Sequence, residues 1–191
     1  MSSKNFFDEK IKEIAIQKNI IDLGGGGGFN KQLTKYQSLF KNNYKTVDID
    51  PKTKPDVIGD IQNLPFLDGT VGGVICISVL EHVEDPAKAI NEIYRILESG
   101  GRALIYVPFL FPYHAKTGFY KDFFRFSRDA VEHLFRRFKN IEVVPTRQFF
   151  ETWLLMLPKI GPKLAPLGRL FDKLALSKGN QVSGFMIYAV K

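Results

Sequence analysis

The sequence predicts an α/β fold built on a doubly wound sheet of seven strands, mostly parallel, with an antiparallel last strand. Two observations predict it: strand-like and helix-like segments alternate along the chain, and a glycine-rich turn follows the first strand. Such alternation is typical of a parallel sheet that is covered by helices on both faces. The predicted strands are the apolar runs NIIDL (19–23), YKTVDI (44–49), DVIG (56–59), GGVICIS (72–78), GRALIYVP (101–108), IEVVP (141–145) and GFMIYAVK (184–191).

Between several of these runs, apolar residues recur every three or four positions, as they do on one face of a helix. The helices predicted from this spacing cover residues 6–18, 29–42, 86–98 and 128–138. The helix over 86–98 has clear end signals: Asp85 is a good capping residue before Pro86, and Gly100 and Gly101 close the helix before the next strand.

Length and composition predict one globular domain over residues 1–191. Of the 191 residues, 45% are hydrophobic and 25% are charged, which supports a packed core and excludes a disordered chain. The single cysteine, Cys76, excludes an internal disulfide and fits a reducing compartment. The first ten residues lack the apolar core of a signal peptide, and no apolar run approaches the ~18 residues of a membrane span. We therefore expect a cytoplasmic protein.

Residues 149–178 do not fit the alternation and are interpreted as an amphipathic insertion in the domain. Apolar residues recur there at spacings of three or four, but Pro158, Pro162 and Pro166 forbid one continuous helix. We expect two short amphipathic helices around a proline-broken middle. Two interpretations stay open: the insertion caps the sheet and buries its apolar stripe in the core, or it is a lid or a membrane-surface element that uses its basic residues.

A run of five glycines, Gly24–Gly28, follows the first predicted strand. Such a turn lets a ligand approach the backbone and the N-terminus of the next helix. Neither the dinucleotide fingerprint nor the Walker phosphate loop fits, because the required spacings fail. The pattern that does fit is acid-x-Gly-x-Gly-x-Gly, formed by Asp22, Gly24, Gly26 and Gly28. Gly25 and Gly27 are extra, so we expect serine to be tolerated at both, and arginine not to be tolerated at Gly26.

The stretch IIDLGGGGG resembles the first motif of class I S-adenosylmethionine (SAM)-dependent methyltransferases, of the type 11 and ubiquinone-biosynthesis-like group. Four later stretches fall where that family has its next motifs, so that the resemblance covers about residues 19–108. These are TVDID, GDIQNLPF, DGTVGGVICISVLEHVEDP and AINEIYRILESGGRALIYVP. The resemblance implies a Rossmann-like fold, SAM as the cofactor and S-adenosylhomocysteine as its product.

The resemblance also implies which residues hold the cofactor. Asp48 would accept both ribose hydroxyls, Asp60 would face the adenine amino group, and Ile77 and Ser78 would border the methionine part. The whole implied set is Asp22, Leu23, Gly24, Gly26, Gly28, Asp48, Ile49, Asp60, Ile61, Ile77 and Ser78. One stretch departs from the family, which usually has a helix between the second and third strands. Only DPKTKPD, residues 50–56, lies there, with Asp50 expected to cap the following turn.

The catalytic candidates are His82, His114, Asp122 and Arg125. The resemblance puts His82, in the triplet LEH, at the mouth of the cofactor site, where it would act as a base or orient the turn. His114 begins a block that resembles a bacterial methyltransferase subset with a His…Asp-aromatic-aromatic-Arg-Phe-Ser/Thr signature. Asp122 could pair with His114 to make a base, and Arg125 could hold an acidic group. The alternative is that Asp122 and Arg125 form a structural salt bridge and that Ser127 caps the next helix.

No metal site is expected, because no Cys/His spacing suggests zinc and no closely spaced acidic set suggests magnesium. His133 is interpreted as a surface or packing residue.

The predicted function is methyl transfer from SAM to a small-molecule acceptor or to one linked to a lipid or glycan. A peripheral membrane contact through residues 149–178 is an added hypothesis. Two alternatives stay open. An RNA or other nucleic-acid methyltransferase would use the net charge of +7, but no separate nucleic-acid-binding domain is evident. A non-catalytic partner protein of the same fold is disfavoured by the complete set of Asp22, the motif glycines and Asp48.

Overall fold

The computed structural model describes residues 2–40, 43–157, 159–174 and 181–191. The strands are β1 (Ile20–Leu23), β2 (Tyr44–Asp48), β3 (Val57–Ile58), β4 (Val71–Ile77), β5 (Leu97–Pro108), β6 (Asn140–Thr146) and β7 (Gly184–Val190). The α-helices are α1 (Ser3–Ala15), α2 (Pro86–Ile96), α3 (Arg128–Leu134), α4 (Phe149–Leu155) and α5 (Gly161–Lys173). All seven predicted strands are confirmed.

The seven strands form one sheet in the order β3-β2-β1-β4-β5-β7-β6. The pairs from β3 to β5 are parallel, whereas β7 is antiparallel to both β5 and β6. This confirms the predicted mostly parallel sheet with an antiparallel last strand. Because all strands except β7 run the same way, they end at one side of the sheet, which we call the carboxyl edge. Ligands of open α/β sheets bind outside this edge.

Helices cover both faces of the sheet, as the doubly wound prediction requires. On one face, α2 and α3 bury apolar side chains such as Ile93 and Val131 against the strands. On the other face, α1 buries Phe6, Ile11 and Ile14. The packing leaves the carboxyl edge to the loops that follow each strand.

Two predicted helices have different forms in the structure. The helix expected over 29–42 is a 3₁₀ helix at Lys31–Leu39, whose start is fixed by Asn30, because the Asn30 side chain accepts the N–H of Gln32. Only a three-residue 3₁₀ turn, Pro51–Thr53, joins β2 to β3, so the reduced crossover expected from the sequence is confirmed.

The insertion forms two short helices, as predicted, and α4 and α5 pack against each other as a hairpin. Pro162 lies in the first turn of α5, where backbone N–H groups make no hydrogen bond within the helix, so proline is tolerated there. The expectation that Pro166 breaks the segment is wrong, because Pro166 lies inside α5. Its side of the helix is exposed, so water can replace the missing N–H donor. Pro158 and residues 175–178 of the insertion lie outside the described residues.

Among the described residues, no helix is both long enough and apolar enough to cross a membrane.

Candidate active site

The glycine run lies at the carboxyl edge, directly after β1. Gly24, Gly26 and Gly28 have φ values of +71°, +64° and +78°, a region that side-chain-bearing residues rarely adopt. They are the three glycines that the acid-x-Gly-x-Gly-x-Gly pattern requires. The N–H of Gly24 donates to the carbonyl of Val47, which ties the start of the run to β2.

The expectation that Gly25 and Gly27 accept serine is contradicted by the space around them. A Cβ at Gly27 would lie 2.3 Å from the carbonyl oxygen of Thr53, and one at Gly25 would lie 2.7 Å from Asp22 Oδ2. Both distances are shorter than the contacts that Cβ atoms make in real proteins. At Gly27 the cause is the short crossover, which packs the backbone of the Pro51–Thr53 turn against the run, whereas at Gly25 it is the buried side chain of Asp22. All five glycines are therefore constrained, three by backbone conformation and two by close contacts.

Asp22, at the end of β1, is fully buried. The hydroxyl of Tyr44 and the side-chain amide of Asn30 both donate to its Oδ2 atom. Its Oδ1 atom is also buried and makes no hydrogen bond to the described residues. Burial raises the pKa of this carboxyl to about 6, although the two donors oppose the shift. A buried acceptor without a donor is unfavourable alone, so a cationic or donor group of a ligand would fit it.

Asp48 ends β2 at the same edge and is half-buried. Its Oδ1 atom accepts the N–H of Asp50 at 2.9 Å, which fixes the carboxylate and leaves Oδ2 without a protein donor among the described residues. Asp50 accepts the N–H of Lys52 and caps the Pro51–Thr53 turn, as predicted. Ile49 lies between them and is 66% exposed.

The remaining cofactor candidates lie at the ends of β1, β3 and β4, on the same edge of the sheet. Asp60 follows β3 and accepts the N–H of Gln62 at 2.8 Å, while the Leu23 and Ile61 side chains are buried in the core. Ser78 follows β4 with a φ of +57°, and its N–H donates to the carbonyl of Tyr106. Ile77 packs against the core beside it.

These residues fit SAM on two observations. The buried Asp22 Oδ1 atom lacks a donor, and SAM carries an ammonium and a sulfonium group. The glycine run follows Asp22 at the same edge of the sheet as Asp48. A Cβ at Gly28 would meet no atom within 4 Å, so there is open space beside the end of the run. Asp22 would thus face the cationic half of the cofactor, and Asp48 the ribose.

A second group of polar side chains lies at the carboxyl edge, in the turn after β4 and in the loop that joins β5 to α3. His114 Nδ1 lies 3.3 Å from Asp122 Oδ2, and His114 Nε2 lies 3.7 Å from Glu81 Oε1. His82 Nε2 lies 3.8 Å from the same Glu81 oxygen. The structure therefore brings together His82, His114, Asp122 and Arg125, the four catalytic candidates, and adds Glu81 to them.

Asp122 and Arg125 form a bidentate ion pair, with nitrogen–oxygen distances of 2.6 and 2.7 Å. Arg125 also donates to the carbonyls of Phe111, Pro112 and Phe124. Its guanidinium holds the pKa of Asp122 well below its usual range. Since these contacts use the guanidinium within the loop, the pair fixes the shape of the loop. Ser127 then accepts the N–H of Ala130 and caps α3.

Glu81 is the residue that sequence reasoning missed. Its side chain is 1% exposed, and burial raises its pKa to about 7. Burial also lowers the pKa of His82. The backbone carbonyl of Glu81 accepts the N–H groups of Phe123 and Phe124. These hydrogen bonds attach the loop between β5 and α3 to the turn after β4. The only sequence signal was its position before His82 at the end of a buried strand. His133 is exposed on α3, away from this group.

Comparison with known proteins supports the predicted methyltransferase family and fold. A family profile described as "Methyltransferase domain" matches residues 21–105. An uncharacterized protein of Methanocaldococcus jannaschii is 37% identical over 46% of this chain and 40% of its own length. The chloroplastic 2-methyl-6-phytyl-1,4-hydroquinone methyltransferase of Arabidopsis thaliana is 27% identical over 75% of this chain and 43% of its own length. The matched part is thus less than half of each of these relatives.

The fold is shared with solved structures at lower identity. The crystal structure of a SAM-dependent methyltransferase from Archaeoglobus fulgidus superposes with a TM-score of 0.62, at 16% identity, over 98% of this chain and 92% of that one. Residues 21–105 thus match the methyltransferase-domain family, and the chain shares the fold of SAM-dependent methyltransferases, as the sequence resemblance predicted. SAM is the cofactor that these comparisons support.

Proposed function

We propose that the protein transfers a methyl group from SAM to a lipid or lipid-linked small molecule that reaches the site from a membrane surface. It acts as one domain, with residues 149–178 as an insertion. The observation that carries the proposal is the concentration of exposed apolar side chains in the two segments that flank the polar group at the carboxyl edge.

Asp22, Asp48 and the glycine run hold the cofactor in this proposal. SAM, when bound, supplies an electrophilic methyl group. The protein must then aim the nucleophile of the acceptor and exclude water, and positioning alone can contribute about 7–11 kcal/mol to the rate. Asp122 holds the His114 ring at this edge, so the ring has a fixed orientation beside an acceptor that reaches the group. Asp122 and Arg125 serve as positioning residues.

The hairpin of α4 and α5 is a well-packed unit. A Cβ at Gly168 would lie 2.7 Å from Glu151 Cα, so the two backbones are in close contact. Asp172 accepts the N–H groups of Phe150 and Glu151 and caps α4. Arg169 donates to Glu151 at 2.6 Å. These contacts account for the polar side of the hairpin, and they leave its outer apolar side chains outside any core.

That outer apolar surface is large for a water-exposed helix pair. The large hydrophobic side chains exposed on it are Trp153, Met156, Leu157, Ile160, Leu167, Leu170, Phe171 and Leu174. Contiguous exposed apolar surface marks a partner or membrane site more often than it marks ordinary surface. This disfavours the interpretation in which the apolar stripe is buried in the core.

The loop between β5 and α3 adds a second apolar surface at the same edge. Its exposed aromatic side chains are Tyr113, Phe119, Tyr120, Phe123 and Phe124. Part of this loop surrounds an open groove of about 380 Å³. Because β6 ends at the carboxyl edge, α4 begins there too, so the hairpin and the aromatic loop both belong to the side of the sheet that carries the active-site residues.

An anionic bilayer is the occupant that we propose for this surface. Lys159, Lys163 and Lys173 are exposed on the hairpin, and Lys116 and Lys121 are exposed on the loop. The chain carries a net charge of +7. Basic residues around apolar and aromatic side chains suit binding at the headgroup boundary of a membrane. One matching relative is named for an acceptor with a phytyl chain, which is also a lipid.

Vesicle flotation tests the membrane part of the proposal. The wild-type protein should float with phosphatidylcholine–phosphatidylglycerol vesicles, less with phosphatidylcholine alone, and less at high salt. The double variant Trp153→Ser, Leu170→Ser should float several-fold less. The control variant Ile16→Ser, Leu67→Ser removes two side chains that are each 78% exposed at the opposite edge of the sheet, and it should behave as wild type. No flotation of the wild type, or equal loss in both variants, would refute the membrane contact.

An acceptor assay with methyl-labelled SAM tests the chemistry separately. Vesicles containing a total lipid extract and, in parallel, total RNA are offered as acceptors. We expect label in the organic phase after extraction. Label in RNA, with none in the lipids, would overturn the proposed acceptor class and favour a nucleic-acid methyltransferase, whose binding should also weaken steeply with salt.

A further inference from the structure

We propose that Glu81, His82 and His114 form a binding site for a divalent transition-metal ion of the zinc type, beside the path of the acceptor. One carboxylate oxygen and one imidazole nitrogen from each histidine lie within 4.8 Å of one another. The Glu81 oxygen is 3.7 Å from His114 Nε2 and 3.8 Å from His82 Nε2. Ligand atoms about 2.0–2.2 Å from one zinc ion are separated by about such distances.

The outer contacts of both histidines direct the same nitrogen inward. His82 Nδ1 lies 2.7 Å from the carbonyl of Lys121, so Nδ1 carries the proton and Nε2 has the free lone pair. His114 Nδ1 lies 3.0 Å from the carbonyl of Pro112 and 3.3 Å from Asp122 Oδ2. Histidine ligands of metals typically donate their other N–H to a carbonyl or carboxylate in this way. Both Nε2 atoms are therefore presented to Glu81 as acceptors.

Glu81 supplies an independent observation. Its side chain is 1% exposed, and its Oε2 atom is buried without a hydrogen bond to the described residues. A buried carboxylate is costly unless it is paired or coordinates a cation. Arg125 makes no hydrogen bond or ion pair to Glu81, because its guanidinium is paired with Asp122 at 2.6 Å. The side chains thus converge as three acceptors, with no donor between them among the described residues.

Two imidazoles and one carboxylate make a three-ligand set, which leaves a zinc-type ion an open position for water or a substrate oxygen. Imidazole nitrogen favours transition metals over magnesium or calcium. The proposal departs from the sequence expectation of no metal, which considered only spacing along the chain. The metal site stands on its own geometry, whereas the idea that its open position takes an acceptor oxygen rests on the proposed function.

Metal titration of chelator-treated protein tests the site without SAM or acceptor. Zn²⁺ calorimetry should give one equivalent bound, and Co²⁺ should give visible absorption bands of a four- or five-coordinate ion. Glu81→Gln and His114→Ala should each weaken Zn²⁺ binding at least tenfold. Asp122→Asn should weaken it about 10–100-fold, as outer-contact changes do. His133→Ala, on exposed α3, is the matched control and should bind as wild type.

Two further readouts keep the result clear. Circular dichroism and thermal unfolding establish that each variant is folded, and Glu81→Gln preserves the shape of the side chain. SAM affinity measured on the same samples separates this proposal from the proposed function, because Glu81→Gln should lose the metal and retain SAM binding. Absence of stoichiometric Zn²⁺ binding by the wild type would overturn the metal site. So would binding that is unchanged in both Glu81→Gln and His114→Ala.

Discussion

Replacing Asp22 by asparagine tests how much stability the protein loses by burying this carboxylate in the site. The carboxyl has a pKa of about 6 in the folded protein, against an ordinary value of 3.8. At about 1.4 kcal/mol per pKa unit, this difference of about 2 units corresponds to a penalty of about 3 kcal/mol at neutral pH. Asparagine keeps an acceptor for Tyr44 and Asn30 but carries no charge.

The sign of the pH dependence follows from proton binding. Below the pKa that Asp22 has in the unfolded protein, its carboxyl is protonated in both the folded and the unfolded state. Burial of the neutral acid then carries no ionisation penalty. As pH rises toward the folded pKa, the unfolded state releases its proton first, so the wild type loses stability. Between pH 4.5 and 7.5, the free energy of unfolding of Asp22→Asn should therefore rise by about 2 kcal/mol relative to that of the wild type.

Urea unfolding at several pH values, without SAM, measures this difference. Asp129→Asn, which removes an exposed carboxylate from α3, is the control for the loss of one charge. Saturating SAM should reduce the pH dependence in the wild type, because a cationic group near the unpaired Oδ1 atom stabilises the ionised acid. A stability difference that does not change with pH, or that changes in the opposite direction, would refute the burial argument.

Two further changes probe the backbone of the site and its loop. Gly27→Ala places a Cβ 2.3 Å from the Thr53 carbonyl oxygen, so it should cost about 1–3 kcal/mol of stability and weaken SAM binding; wild-type values in urea unfolding and calorimetry would contradict the packing of the turn. Ser127→Ala removes the N-cap of α3 and should cost about 1 kcal/mol; hydrogen exchange should show faster opening of the first turn of α3, and unchanged exchange would argue against the cap.

The strand pattern and the motif glycines could be predicted from the sequence because both are local properties. Seven apolar runs became seven strands. The alternating requirement for Gly24, Gly26 and Gly28 appeared as three positive φ values. These features depend on the period of side chains along a strand and on backbone conformation, which neighbouring residues specify.

The contacts that sequence reasoning missed are between segments far apart along the chain. Gly27 is constrained by Thr53, which reaches it only because the crossover after β2 is so short. Glu81 meets His114 because the loop after β5 folds back over the turn after β4. The spacing of residues along the chain predicts neither of these two contacts.

The hairpin shows a third limit of sequence reasoning. Apolar spacing predicted two amphipathic helices, and both are present as α4 and α5. Spacing did not indicate which surface the stripe would meet, so burial in the core stayed open beside a lid or a membrane-surface element. The structure disfavours burial in the core, because Trp153 and Leu170 are each 54% exposed on the hairpin.

We propose that Asp48 and the glycine run hold SAM at the carboxyl edge. Calorimetric titration with SAM tests this proposal on the wild type, Asp48→Ala, Gly26→Arg and the control Asp129→Asn. Loss of a charge-assisted contact worth about 1.5–3 kcal/mol should weaken binding by about 10–100-fold in Asp48→Ala. Gly26→Arg should abolish binding, and the control should match the wild type. Tight binding that is unchanged in both site variants would show that SAM does not bind at Asp48 and the glycine run.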